Sequence, residues 1–516
     1  MKKYFLLFLS IGVASISCSK NDDEPVVNPD ITENPIDPVV ETKSRADYPV
    51  QDFMWQAMNL YYFYVNDVPN LDEGNYATLD EYVDFIASES NPADFYNNKL
   101  LFSEDRFSFL NEDYKTLTAG FSGISKSNGL EYSLARFNNS EVIYGYVRYI
   151  VKNSDAATKD IKRGDLFTSI NGEPLFFDSP ESNNTSLLRN ADTYTLGMAD
   201  FDGNEFVLNG KEVTLTKQEG LVEDPILVNK VLDVGGQKVG YLMYNQFAGN
   251  SGEPLNDVFG EFKSEGISDL VLDLRYNPGG LGYITQILGS LIHQPDPLKL
   301  FYTRRFNSKY EEALEIQGGL KTNFVADTGT EDNNSEIPLN SLDLNKIYVI
   351  ATGNSASASE LLINGLRPYV EVVHIGSTTV GKNQGSFTLV DSPATGFGYN
   401  PDREDEINPN NSWAIQPITS QTENSEGFGD YSAGLPPTIP IDEDFSDLGE
   451  LGNPTERLLA RALQEINGVS AKTNLSAKYP VDMIYSSSLE SANGGRLIFR
   501  DIPALLSERL QSKLNK

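Results

Sequence analysis

The sequence predicts an α/β core preceded by a β domain and a small helical domain, and three changes of hydrophobic period along the chain predict it. Apolar residues first recur at helical spacing, then alternate along short strands broken by glycine turns. Finally they gather into strands and helices that follow one another in turn, the pattern of a sheet layered with helices.

The chain starts before any of these. Met1-Lys2-Lys3, an apolar run over 4–13 and small residues up to Cys18 form the pattern of a secretory signal over 1–18. The run is too short for a membrane span, which takes about 20 apolar residues. Ser15-Ile16-Ser17-Cys18 resembles a bacterial lipobox, which implies a lipid on Cys18. It is the only cysteine, and an exported protein has little use for one spare thiol. Residues 19–46 are rich in acid and proline and read as a disordered tether. The acidic run behind Cys18 resembles the surface-export signals of bacterial lipoproteins. The implied location is the cell envelope, at the outer membrane, facing the periplasm or the surface.

Over 47–115, Phe53, Trp55, Met58, Leu60, Tyr61, Tyr82, Phe85 and Ile86 fall at helical spacing. Thr78 and Glu81 form the capping pair of a helix start. Over 116–217 the pattern turns to strands, among them 141–150 and 212–216. Between them a helix is expected near Ser154, then a Gly164-Asp165 turn, an apolar strand and an Asn171-Gly172 hairpin turn. This stretch resembles a bacterial PDZ domain, which implies capture of an extended chain end on a sheet edge. Over 228–467, strands 239–244, 269–274 and 347–350 alternate with helices 255–263, 283–292 and 455–466. Residues 468–516 hold an amphipathic helix, 502–514, with no role that the sequence assigns.

Charge and residue counts narrow the chemistry. Forty Lys and Arg against 74 Asp and Glu give −34, a surface that repels nucleic acid. One cysteine and two histidines cannot build a disulfide scaffold, an iron–sulfur cluster or a Cys-rich zinc site. A Ser-His-Asp triad would have to recruit His293, at a helix end, or His374, inside an apolar strand, and neither setting favours it.

Two segments suit chemistry better. Asp273-Leu274-Arg275-Tyr276-Asn277-Pro278-Gly279-Gly280 runs from a buried strand into a glycine turn whose bare N–H groups could hold an anion, or simply turn the chain. Ser355, Ser357 and Ser359 cluster where strand 347–350 gives way to a helix. One of them could cap that helix with Glu360, or serve as a nucleophile beside its N-terminus. A serine needs a base. Lys382, just past the strand holding His374, can act as one if burial favours its neutral form. The run from Gly376 to Lys382 also fits a phosphate-binding loop, but Asn383 stands where a Ser or Thr is required.

Ser357-Ala358-Ser359-Glu360, the lysine 25 positions on and the Pro-Gly-Gly turn resemble the C-terminal processing (tail-specific) serine peptidases, over roughly 47–467. The resemblance implies an α/β protease core with Ser357 as nucleophile and Lys382 as general base. It implies an oxyanion hole from the N–H groups of Ala358 and of Gly279 or Gly280. The glutamine common four residues after the lysine is Ser386 here, so Gln384 is the candidate to orient Lys382. The implied function is a serine endopeptidase acting on exported or unfolded proteins through their tails, without metal or cofactor. A catalytically idle peptide-binding lipoprotein of the same fold is the alternative. A glycan-binding surface protein is a third reading, which the aromatic residues support only weakly because they fall at core spacing.

Overall fold

The computed structural model describes residues 43–516 except 138–141, 180–181, 294, 317–319, 330–336, 469–476, 480, 492–495, 500–501 and 503–516. The signal 1–18, Cys18, the tether as far as residue 42, and the helix expected over 502–514 beyond its first residue lie outside the described residues. Among the described residues no helix is long and apolar enough to cross a membrane.

Helix α1 (Pro49–Tyr61) opens on a proline whose missing N–H would have had no partner there. Helix α2 (Leu79–Ile86) starts on the expected cap: Thr78 Oγ1 accepts from Glu81 N–H, and Glu81 Oε2 accepts from Thr78 N–H. The aromatic stripe is buried as its period predicts. What it is buried against differs from the expectation. Met54, Leu60 and Phe95 share one continuous core with Leu242, Phe259 and Ile284 of the α/β body. The expected small helical domain over 47–115 therefore has no core of its own. Period reveals which face of a helix is covered, not what covers it.

The β domain does have its own core, with Leu134, Val147, Phe167, Leu196 and Leu215 at its centre. Its strands are β1 (Leu130–Phe137), β2 (Ile143–Ile150), β3 (Leu166–Ile170), β4 (Thr193–Phe201) and β5 (Phe206–Thr216). They pair antiparallel in that order. Asn171 and Gly172, with φ of 52° and 85°, make the two-residue hairpin turn that the Asn-Gly pair predicts. The helix expected near Ser154 shrinks to one turn, Ala156–Thr158.

The α/β body holds two six-stranded sheets. In the first, β6 (Ile226–Val234) pairs antiparallel with β7 (Gln237–Tyr244). From β7 the sheet runs parallel through β8 (Asp269–Asp273) to the later strands β11 (Lys346–Ala351) and β12 (Glu371–Gly376) and the short edge strand β15 (Ile439–Pro440). Helices α3 (Gly252–Glu265) and α4 (Gly282–Ile292) fall in sequence between those strands, and α5 (Ala358–Leu366) joins β11 to β12. Strands β8 and β11 are almost wholly buried, which their unbroken apolar runs require.

The second sheet runs β9 (Gly279–Leu281), β17 (Arg496–Phe499), β13 (Gln384–Phe387), β14 (Ile418–Asn424), β10 (Leu300–Arg305) and Lys321–Asn323. After helix α6 (Arg457–Ile466), strand β16 (Val481–Ser486) pairs with β1 at the edge of the β domain. The region past residue 467, to which the sequence assigns no role, thus adds one strand to each of two sheets.

Candidate active site

The two segments singled out in the sequence meet at the ends of neighbouring parallel strands, β8 and β11. Four hydrogen bonds join them. Thr352 Oγ1 donates to Arg275 O at 2.6 Å, and Ser355 Oγ donates to Leu274 O at 2.7 Å. Ala356 N–H and Ser359 Oγ both donate to Asn277 O, at 3.1 and 3.0 Å. Ser355 and Ser359 thereby have structural partners. Ser357 Oγ has none, although the residue is 0% exposed.

Ser357 is also the residue whose backbone is strained, at φ 63° and ψ −107°, on a sharp turn between β11 and α5. A side chain other than glycine costs about 1–3 kcal/mol in such a conformation and persists only where its surroundings enforce it. The capping alternative is half met. Glu360 Oε2 accepts from Ser357 N–H at 2.7 Å, but the serine hydroxyl takes no part.

Glu360 does far more than cap. The same Oε2 accepts from Lys382 N–H at 2.9 Å. Its Oε1 accepts from Gly381 N–H at 2.7 Å and from Thr379 Oγ1. Burial holds this carboxyl above the usual range, while the four donors pull it back. The amides of Gly381 and Lys382, which a phosphate-binding loop would aim at phosphate, are spent on Glu360. That disposes of the phosphate-loop reading.

Lys382 is the one lysine among the described residues that is fully buried, at 1% exposure. Its Nζ lies 4.9 Å from the centre of the Phe107 ring. Since Ser357 Oγ makes no hydrogen bond, serine and lysine are not engaged in this conformation. Gln384 does not meet its expectation here: its amide donates to Tyr64 Oη rather than orienting Lys382.

Ala358 opens α5, where first-turn N–H groups have no acceptor within the helix. Gly279, at φ 101°, donates its N–H to Asn277 Oδ1 at 2.9 Å. Gly280 sits at φ 147°, and a Cβ there would come within 2.3 Å of Phe247 O, so only glycine fits. The turn is braced from below. Arg275, fully buried, pairs with Asp273 at 2.7 Å and in fork geometry with both oxygens of Glu456. Arg163 of the β domain donates to Tyr276 Oη at 2.7 Å and to Glu443 at 3.0 Å.

Both histidines stand apart from this chemistry. His374 has both ring nitrogens against backbone carbonyls, of Pro436 and Ala351, and His293 packs between Phe324 and Tyr369. Burial lowers the pKa of each.

The glycine turn, the strained serine and the buried lysine all lie within one stretch that resembles known proteins. Residues 238–417 match the model of peptidase family S41. The curated proteins similar to this chain include CtpA-like and carboxyl-terminal processing proteases. The chain is 25% identical over 278 residues to "Probable CtpA-like serine protease" of Staphylococcus aureus (strain N315), covering 52% of this chain and 47% of that one. It is 25% identical over 295 residues to "Carboxyl-terminal-processing protease" of Picosynechococcus sp., covering 54% and 60%. The match thus spans about half the length of these curated relatives. The solved "Putative S41 protease from Bacteroides fragilis NCTC 9343" shares the fold, with a TM-score of 0.59, 24% identity and coverage of 81% and 97%. All the candidate catalytic residues lie inside the S41 match. The β domain and the strands β16 and β17 lie outside it.

Sequence reasoning placed Glu360 in a cap and in the Ser-Ala-Ser-Glu run, named Arg275 and Asn277 only as parts of the glycine-turn segment, and gave Thr379 no role. The Ser-x-x-Glu spacing was the available signal for Glu360. Nothing local reveals the partners of the others, which are distant in the chain.

Proposed function

We propose that the protein is a serine endopeptidase with a Ser357–Lys382 dyad, acting on unfolded or exported polypeptides through their tails. The observation that carries this reading is the shared Glu360 carboxylate, which ties a strained, unbonded serine to the fully buried lysine. Lys382, as the neutral amine, takes the proton of Ser357 as its oxygen attacks a peptide carbonyl carbon. The N–H groups of Ala358 and Gly280 receive the oxyanion, aided by the α5 N-terminus, while that of Gly279 is held by Asn277 Oδ1. Collapse of the tetrahedral adduct breaks the C–N bond, Lys382 returns the proton to the leaving amine, and water then releases the acyl group.

The β domain, in this reading, is a PDZ-like module that captures a chain end on a strand edge. The lipid on Cys18 anchors the protein to the cell envelope, at the outer membrane. The idle peptide-binding lipoprotein remains the second reading, favoured by one observation: Ser357 Oγ is unbonded and inaccessible.

Purified protein incubated with an unfolded substrate, beside Ser357→Ala and Lys382→Ala variants, tests the assignment. Cleavage by the parent chain that both substitutions abolish supports it. Cleavage surviving either one refutes the dyad.

A further inference from the structure

The candidate active site is buried, and the chain's own C-terminal region pairs with the strands on either side of it. Ser357 and Ala358 are 0% exposed, so no polypeptide can reach them in this arrangement. Strand β17 fills the slot between the segments that would cradle a substrate. On one side Arg496, Leu497 and Ile498 pair in parallel with Gly279, Gly280 and Leu281. On the other side Ile498 and Phe499 pair in parallel with Ser386 and Phe387, in the strand that begins two residues after Lys382.

The slot is shaped for an extended apolar chain. Leu497, Ile498 and Phe499 are all buried. The Phe499 ring rests where a Cβ on Gly385 or Gly282 would come within 2.2 or 2.6 Å, so these two glycines make room for an aromatic side chain. Arg304 lies over the same ring, at 4.8 Å from its centre.

The preceding strand occupies the other place a substrate would use. β16 pairs antiparallel with β1, taking one outer edge of the β-domain sheet. Tyr485 stacks on Tyr132 with ring centres 5.7 Å apart. Ser486 and Ser487 each lie 2.7 Å from the buried guanidinium of Arg148. The same stretch walls one side of a cavity of about 790 Å³, whose other side includes Thr352, Gly353 and Asn354 of the loop leading to Ser357.

We propose that strands β16 and β17 are a cis-acting occupant of the substrate path, filling the β-domain edge and the catalytic slot until a competing chain displaces them. The proposal rests on the peptidase reading and adds its regulation. It also states what displaces the occupant: an unfolded segment able to lie extended and to offer an apolar pair followed by an aromatic residue. The ladder holding β17 is short, three register pairs on one side and two on the other, which suits exchange.

The test uses the full chain. A Leu497→Asp/Phe499→Asp double variant should cleave an unfolded protein roughly tenfold faster than the parent, as expected when an occupant holding nine molecules in ten closed is released. A synthetic peptide of residues 481–502, added to that variant, should slow it again, and the peptide carrying the same two substitutions should not. In the parent chain, the amides of β17 should exchange hydrogen well before those of β8. A folded double variant that cleaves no faster overturns the proposal, as does a β17 that exchanges only with global unfolding, which would make it a structural strand. Absence of Ser357-dependent cleavage in both parent and variant sinks the peptidase reading instead. The hydrogen-exchange result then still decides whether β17 is a displaceable occupant.

Discussion

The backbone N–H groups of Ser357 and Lys382 donate to one and the same atom, Oε2 of Glu360, at 2.7 and 2.9 Å. Two residues 25 positions apart are thus fixed through a third that approaches neither reacting atom by hydrogen bond. Any shift of the Glu360 carboxylate moves the serine turn and the lysine turn together.

Glu360→Gln should therefore impair catalysis more than folding. An amide cannot accept at both positions, so at least one buried N–H loses its partner, at about 1–3 kcal/mol of stability. We expect kcat to fall roughly a hundredfold with KM little changed, because the loss lies in positioning. Steady-state kinetics and thermal unfolding of the same sample check both parts.

Substitutions at two neighbouring serines should act in opposite directions. Ser357→Gly relieves the strain at φ 63° and should raise stability by about 1 kcal/mol while abolishing activity. Ser359→Ala removes the bond to Asn277 O and should cost about 1 kcal/mol while keeping most of the activity. Denaturant melts and a cleavage assay on both variants separate the roles.

Gly280→Ala should be damaging in itself. The new Cβ would meet Phe247 O at 2.3 Å, a backbone atom that cannot rotate away. A loss of about 2–4 kcal/mol is expected, read from the shift in urea midpoint.

Gln384→Ala should change little at the lysine. Its amide is bonded to Tyr64, so a drop in kcat of no more than about threefold is expected, together with a small loss of stability. A hundredfold drop would return Gln384 to the role of orienting Lys382.

Stability should depend on pH through Glu223, which accepts from Tyr149 Oη at 3.0 Å. Burial, with repulsion from Glu131, pushes its carboxyl up to about 7. A raised carboxyl pKa means that the folded state holds the proton more tightly. The associated stability is present below the ordinary value and is lost as pH rises towards about 7. Glu223→Gln should flatten that decline and leave the variant about 2 kcal/mol more stable than the parent at about pH 8. Thermal melts of both chains across that range read the difference.

Much of the site could be read from the chain because its key parts are local. Ser357, Ala358 and Glu360 lie within one helical turn, and the Pro-Gly-Gly turn is contiguous, so backbone requirements alone mark them. The hydrogen bonds joining Asn277 to Ala356 and Ser359 were not readable, since nothing at either end announces a partner 80 positions away. The fold divides in the same manner. Alternating strands marked the α/β core, and Asn171-Gly172 marked its hairpin. The burial of α1 against the α/β body left no trace in its period. Strands β16 and β17 escaped notice because each is short and joins a sheet begun hundreds of residues earlier.

The joint interior of α1 and the α/β body sets the molecule's melting units. Met54 and Leu60 pack with Leu242 and Ile284, so heating should release the front helices and the α/β body in one cooperative step. The β domain has a core of its own but also shares buried clusters with that body, Tyr149 and Val151 with Val239 and Tyr241, and Tyr144 and Tyr146 with Phe445 and Leu448, so its melting is coupled to the rest. A recombinant fragment trimmed to residues 228–467 would turn a broad greasy face to water and clump, so a minimal working version must keep its first helices.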